Sequence, residues 1–117
     1  MMINSIHSSV TSYHNLKISS LQKESSDVGQ GNSLAQLSSP NGLFVDKLGT
    51  LYIVDSGNNR VIRWPKEAKE GTVIVGGNGK GSGAHQFSGP RALSFDCHGN
   101  IYVVDEDNNR VQRFSLQ

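Results

Sequence analysis

At 117 residues the chain is about the size of one ordinary domain, and no apolar run in it approaches the roughly 20 residues that a membrane-spanning helix needs. Eleven basic against ten acidic side chains leave a net charge of +1, which excludes a global field drawing the protein to nucleic acid or to an anionic membrane. Thirteen glycines among many Asn, Ser and Asp residues point to frequent turns and an all-β chain, while a single cysteine, Cys97, excludes an internal disulfide framework and suits a reducing compartment.

The first 28 residues form a polar, Ser-rich N-terminal segment. Its opening, MMINSIHSSVTSYHNLK, has neither the basic start and apolar core of a secretory signal nor the Arg-rich amphipathic pattern of a transit peptide. If Met1 is the true start, a soluble, cytoplasmic protein is expected. The segment reads as a polar tail, and the alternative is a remnant of a preceding blade, with strands at residues 10–13 (VTSY) and 16–18 (LKI).

From Gly29 onwards the chain repeats itself without a gap at a spacing of 50 residues, so that LYIVDSGNNRV at 51–61 returns as IYVVDEDNNRV at 101–111. The first unit spans 29–77 and the second 78–117. A short apolar run at 43–45 ends in Asp46-Lys-Leu-Gly49, matched by Asp96-Cys-His-Gly99. An Asp followed three residues later by Gly suits a hairpin, because the carboxylate caps the turn and Gly accepts positive φ. Residues 51–54 and 101–104 are apolar at nearly every position, as expected of strands covered on both faces. Third strands begin at Val61 and Val111. A fourth, 71–75, completes the first unit and has no counterpart in the second.

A four-stranded meander with both faces of its inner strand apolar requires cover on each side. Radial stacking of such sheets into a β-propeller supplies it, whereas a simple sandwich explains the strands but not the repeat. PNGLFVDKLGTLYIVDSGNNRVIRW and PRALSFDCHGNIYVVDEDNNRVQRF resemble NHL repeats through their opening Pro, Asp, Gly, Tyr-Val-x-Asp and Asn-x-Arg-Val elements. The resemblance covers residues 29 to 117, and its most specific part is Asp-x-x-Asn-Asn-Arg-Val. It implies an all-β partial propeller of two blades, the second lacking its outer strand. Members of the family usually close with six blades. The favoured expectation is a fragment of a longer propeller, and the alternative is self-association of three chains into one ring.

Several motifs invite sharper readings and fail them. GGNGKGSGA at 76–84 offers Gly-Lys, but Gly81 stands where a Walker loop needs Ser or Thr, and no helix follows to receive a pyrophosphate. It reads as an inter-blade loop. Asp105, Asp107 and Asn109 imitate the start of an EF-hand, yet Arg110 and Leu116 occupy the positions that require Gly and Glu. Asp55 with Arg60, and Asp105 with Arg110, read instead as braces of the loop between second and third strands, since an Arg fork can grip a carboxylate. His7, His14, His85, Cys97 and His98 show no metal-ligand spacing, so neither metal nor cofactor is expected. The one catalytic relative the resemblance suggests, the peptidyl-hydroxyglycine lyase, carries zinc histidines directly after the Pro that opens a blade. Asn41 and Arg91 stand there in this chain, so its pattern is missing from both units.

An up-and-down meander fixes which loops share an end. Asn41, Arg91, Asn58, Asn59, Asn108, Asn109, Lys80 and His85 fall on one rim, where loops held by a rigid scaffold carry binding function. The resemblance implies a non-catalytic platform for a protein partner, similar to the recognition domain of NHL-containing ubiquitin ligases, although one cysteine cannot build the zinc domain of a ligase. The alternative is an RNA-binding platform, which phosphate contacts would make strongly salt-dependent. Arg91 at the inner rim is the first candidate contact.

Overall fold

A computed structural model describes residues 31–34 and 36–116 of the chain, so the expectations for residues 1–28 lie outside the described residues. Seven strands build two antiparallel sheets. The first contains β1 (Pro40–Val45), β2 (Leu51–Asp55), β3 (Arg60–Trp64) and β4 (Thr72–Gly76) in that order, and the second contains β5 (Pro90–Phe95), β6 (Asn100–Asp105) and β7 (Arg110–Ser115). The first strand of each sheet starts three residues earlier than the apolar run announces, because Pro40 and Pro90 already pair with Asp55 and Asp105. Likewise Arg60 and Arg110 belong to the third strands, opposite those same aspartates.

The Asp-x-x-Gly hairpins form by side-chain capping. Asp46 Oδ1 accepts hydrogen bonds from the backbone N–H groups of Leu48 and Thr50 at 2.9 and 3.0 Å, and Gly49 takes φ +83°. Asp96 does the same for His98 and Asn100 at 2.8 and 3.0 Å, with Gly99 at φ +83°. An L-residue at this φ would carry strain that Gly avoids.

Alternation assigns each side chain to one of two faces. Leu51, Ile53, Ile62 and Trp64 form a buried cluster with Leu37 on one face of the first sheet. Val54, Val61 and Val75 lie on the other face and join Phe87, Ile101 and Val103 of the second repeat in a shared core. The face of the second blade that meets the first is thus the face carrying Leu51 and Ile53 in the first. The two blades are stacked, as consecutive blades of a propeller are.

The stack is closest at β1 and β5. A Cβ on Gly42 would lie 3.0 Å from Ala92 Cα and from the Arg91 carbonyl oxygen, so glycine is what lets the two backbones approach there. Near the hairpin end, Phe95 packs against Phe44 and Tyr52 with ring centroids 5.0 and 4.8 Å apart. At the opposite end Asn59 Oδ1 accepts from the Gly89 N–H at 3.0 Å, and the Ser56 hydroxyl donates to the Pro90 carbonyl.

One expectation needs correction. Residues 101–104 read as covered on both faces, but Val104 is 38 % and Val111 60 % exposed, against 0 % for their counterparts Val54 and Val61. The physical reason is position in the stack: the second blade covers Val54 and Val61, and among the described residues no third blade covers Val104 and Val111.

Candidate functional site

Between second and third strands each repeat makes a single turn of 3-10 helix, Ser56–Asn58 and Glu106–Asn108, closed by a residue in the left-handed region. Asn59 and Asn109 occupy that position at φ 51° and 52°. Asparagine enters this region more readily than other side-chain-bearing residues.

A buried carboxylate organises the turn. Asp55 Oδ1 accepts from the Ser38 N–H at 2.7 Å, while Oδ2 accepts from Asn58 Nδ2 and Arg60 Nε, each at 2.8 Å. The guanidinium does not grip the carboxylate with its fork. Its terminal nitrogens turn away to the carbonyls of Asn32, Ser33 and Gln36, all at 2.9 Å. One arginine therefore ties the second-to-third-strand turn to the loop that enters the blade, which a bidentate carboxylate pair could not do.

The second repeat copies the arrangement. Asp105 Oδ1 accepts from Ser88 N–H at 2.7 Å, Oδ2 from Asn108 and Arg110 at 2.8 Å, and Arg110 reaches the carbonyls of Ser82, Gly83 and Gln86. Burial pushes the Asp105 carboxyl pKa up, but the hydrogen bonds from Ser88, Asn108 and Arg110 outweigh it and hold the value below the usual range. The Gly-rich loop is thus a strap of carbonyls folded onto an arginine. Asn58 and Asn108 add their amides to the Gly31 and Gly81 carbonyls at 2.7 and 2.9 Å.

These bonds use much of the polar motif internally. Asn58, Asn108, Arg60 and Arg110 serve the turn, and Asn59 spans the two blades. Asp107 accepts from the Ser88 hydroxyl at 3.2 Å rather than converging with Asp105 on a common point. Among the described residues no group of three His, Cys, Asp or Glu side chains is placed to hold a metal ion, and no helix is long and apolar enough to cross a membrane.

What stays outward is different. Asn41 and Arg91 are exposed, and each sits in the bulge where the first strand slips register, between Pro40 and Gly42 or between Pro90 and Ala92. A bulge re-aims a side chain out of the ladder. Arg91 Nη1 meets both carboxylate oxygens of Glu106 at 3.0 Å, with side chains 63 % and 48 % exposed. Lys80 and Asn109 are exposed at the same end. His85 is exposed too, but its ring stands 6.3 Å from Phe114, towards the outer side of the stack rather than the β1–β5 side. The rim residues thus divide into an inner pair of bulge positions and an outer loop.

The Arg91–Glu106 contact joins two of the positions at which the repeats differ, where Asn41 and Ser56 stand in the first unit. The sequence singles out Asn41 and Arg91 after the opening Pro, but not their partner position in the turn. The pairing depends on the bulge, which leaves no trace in the residue pattern.

Residues 37–64 and 87–114 match the family model of the NHL repeat. The chain carries two NHL repeats. Each matched stretch begins just before its first strand and ends with the third, so it takes in the buried aspartate and the arginine but not the outer strand. No curated protein matches the chain. The NHL repeats together with the two antiparallel sheets give an all-β partial propeller.

Proposed function

We propose that this NHL module is a non-catalytic platform that binds a protein partner through the rim bearing Asn41, Arg91 and Glu106. The observation that carries the reading is the division of labour in the repeat. Residues common to both units are spent on the turn and its strap, while the differing pair Arg91–Glu106 lies exposed, Arg91 in the strand bulge and Glu106 in the 3-10 turn. Rigid presentation lowers the cost of ordering side chains on binding. An exposed ion pair adds little to stability, typically about 0–1 kcal/mol, so folding alone is a weak reason for it.

The finer reading is a substrate-recognition role like that of NHL domains in ubiquitin ligases. It rests on the family resemblance and on the same rim. RNA binding is the weaker reading, because Glu106 offsets the charge of Arg91 where a phosphate would sit.

The experiment is a quantitative affinity capture with the full chain, comparing wild type with Arg91→Glu/Glu106→Arg and with Leu48→Ser at the opposite end. Partners lost with the rim variant and kept with the hairpin variant support the reading. Capture insensitive to the rim variant contradicts it. Binding of a poly(U) probe that collapses with added salt would favour RNA instead.

A further inference from the structure

The contact between the two blades fixes one residue beside the rim. A Cβ on Gly42 would meet Ala92 Cα and the Arg91 carbonyl oxygen at 3.0 Å and Val54 Cγ2 at 3.2 Å, so glycine is what fits there. The residue before it is Asn41, exposed and set in the bulge between Pro40 and Gly42. Packing thus demands the glycine, and the bulge turns the asparagine out to water. Among the described residues the Asn41 side chain has no hydrogen-bond partner. In the second unit Arg91-Ala92 stands at this place.

An Asn-Gly step is chemically labile, because no side chain on the glycine shields its backbone nitrogen from the neighbouring amide. The chain has one other such step, Asn78-Gly79. Asn78 is exposed too, but it is held in place: its Nδ2 donates to the His85 carbonyl at 2.9 Å, and its own carbonyl accepts from Gln86 Nε2 at 3.0 Å. Closing a ring at Asn78 means giving up those bonds. At Asn41 the side chain has none to give up.

We propose that Asn41 is a deamidation site, at which the folded protein converts a neutral rim position into an acid. The Gly42 backbone nitrogen loses its proton to solvent base and attacks Cγ of Asn41, an intramolecular step favoured by proximity. The new N–Cγ bond closes a cyclic imide, the Cγ–Nδ2 bond breaks, and Nδ2 departs as ammonia. Water then opens the imide. Cleavage at Cγ leaves an aspartate on an unaltered backbone, and cleavage at the main-chain carbonyl leaves isoaspartate. Nothing is oxidised or reduced. The aspartate adds a carboxylate to the rim that carries Arg91. The isoaspartate adds a methylene to the β1 backbone beside Gly42, where the neighbouring blade leaves no slack. The assignment stands apart from the rim's binding of a partner, because the reaction is read on the chain itself.

The experiment incubates the full chain in mildly alkaline buffer, folded or in urea, and follows each asparagine by peptide mass spectrometry with fragmentation that separates aspartate from isoaspartate. In the folded chain Asn41 should convert at least about tenfold faster than Asn78, which must first release its hydrogen bonds. In urea the two rates should converge. Gly42→Ala would block the reaction but also clash with the second blade, so Asn41→Gln is the control. Its longer side chain closes a larger ring far more slowly, and it should remove the product at 41 while leaving the rate at Asn78 unchanged. An Asn41 that keeps its amide in the folded chain, conversion there only in urea, or an Asn78 that reacts as fast in the folded chain would overturn the proposal.

Discussion

Phe87, near the start of the second repeat, lies against Gly76, the last residue of the first blade: a Cβ placed on Gly76 would come within 2.8 Å of the Phe87 ring and 2.6 Å of the Asn59 carbonyl oxygen. The contact locks one blade to the next. Gly76→Ala introduces that overlap at a residue with φ +79°, so it should destabilise by more than the about 1 kcal/mol of an ordinary Gly substitution. Phe87→Ala should cost about 3–5 kcal/mol, because the fully buried ring joins Val54, Val61, Ile101 and Val103. Urea unfolding of the two variants measures both effects.

The brace around Asp55 should be the most sensitive polar element. Its carboxylate is fully buried and takes three hydrogen bonds. Removing Arg60 leaves a buried charge without its cation, at a cost of about 3–5 kcal/mol. Arg60→Lys should not restore stability, since an ammonium cannot hold a carboxylate and three diverging carbonyls at once. Arg110→Ala should cost less, because Arg110 is 29 % exposed and water can replace part of its bonding. Denaturant midpoints of the three variants give the order.

Acid should weaken the hairpin and the turn of the second blade. The Asp96 carboxyl is held well below its usual range, chiefly by the Asn100 side chain and further by the Asn100 and His98 N–H groups and the Tyr102 hydroxyl. Asp105 is depressed as well. A lowered native pKa means that the unfolded chain binds protons first, so this stabilisation is complete above about pH 4 to 5 and is lost as pH falls below that. Tyr102 moves the other way, raised by its hydrogen bond to Asp96, so its contribution is present below about pH 10 and is lost as pH rises through its native value. Thermal melts across pH should fall at both ends, and Asn100→Ala should flatten the acid limb.

Much of the fold was legible in the sequence because the information is repeated. Two copies of Asp-x-x-Gly and of Asp-x-x-Asn-Asn-Arg-Val locate hairpins, turns and strands wherever local chemistry decides them, as at Asp46 and Gly49. The bulges at Asn41 and Arg91 were not legible, because a register slip is set by pairing with a neighbouring strand rather than by residue type. Nor was the reach of Arg60 to three loop carbonyls, since a backbone oxygen accepts whatever side chain its residue carries and so leaves no mark in the residue pattern. The exposure of Val104 and Val111 depends on stacking, which a pattern within one repeat cannot report.

The stacking of the two blades is tested most directly by one substitution made at two equivalent places. Val61 and Val111 occupy the same position in successive repeats, 0 % and 60 % exposed. Val61→Asp places an unpaired charge in the inter-blade core and should cost more than about 3 kcal/mol, whereas Val111→Asp should stay within about 0.5 kcal/mol of wild type. The measurement is equilibrium urea unfolding of both variants beside the wild type. A large loss for Val61→Asp alone is the predicted result. Equal losses, or a tolerated charge at Val61, would contradict a stack in which the second blade seals the first.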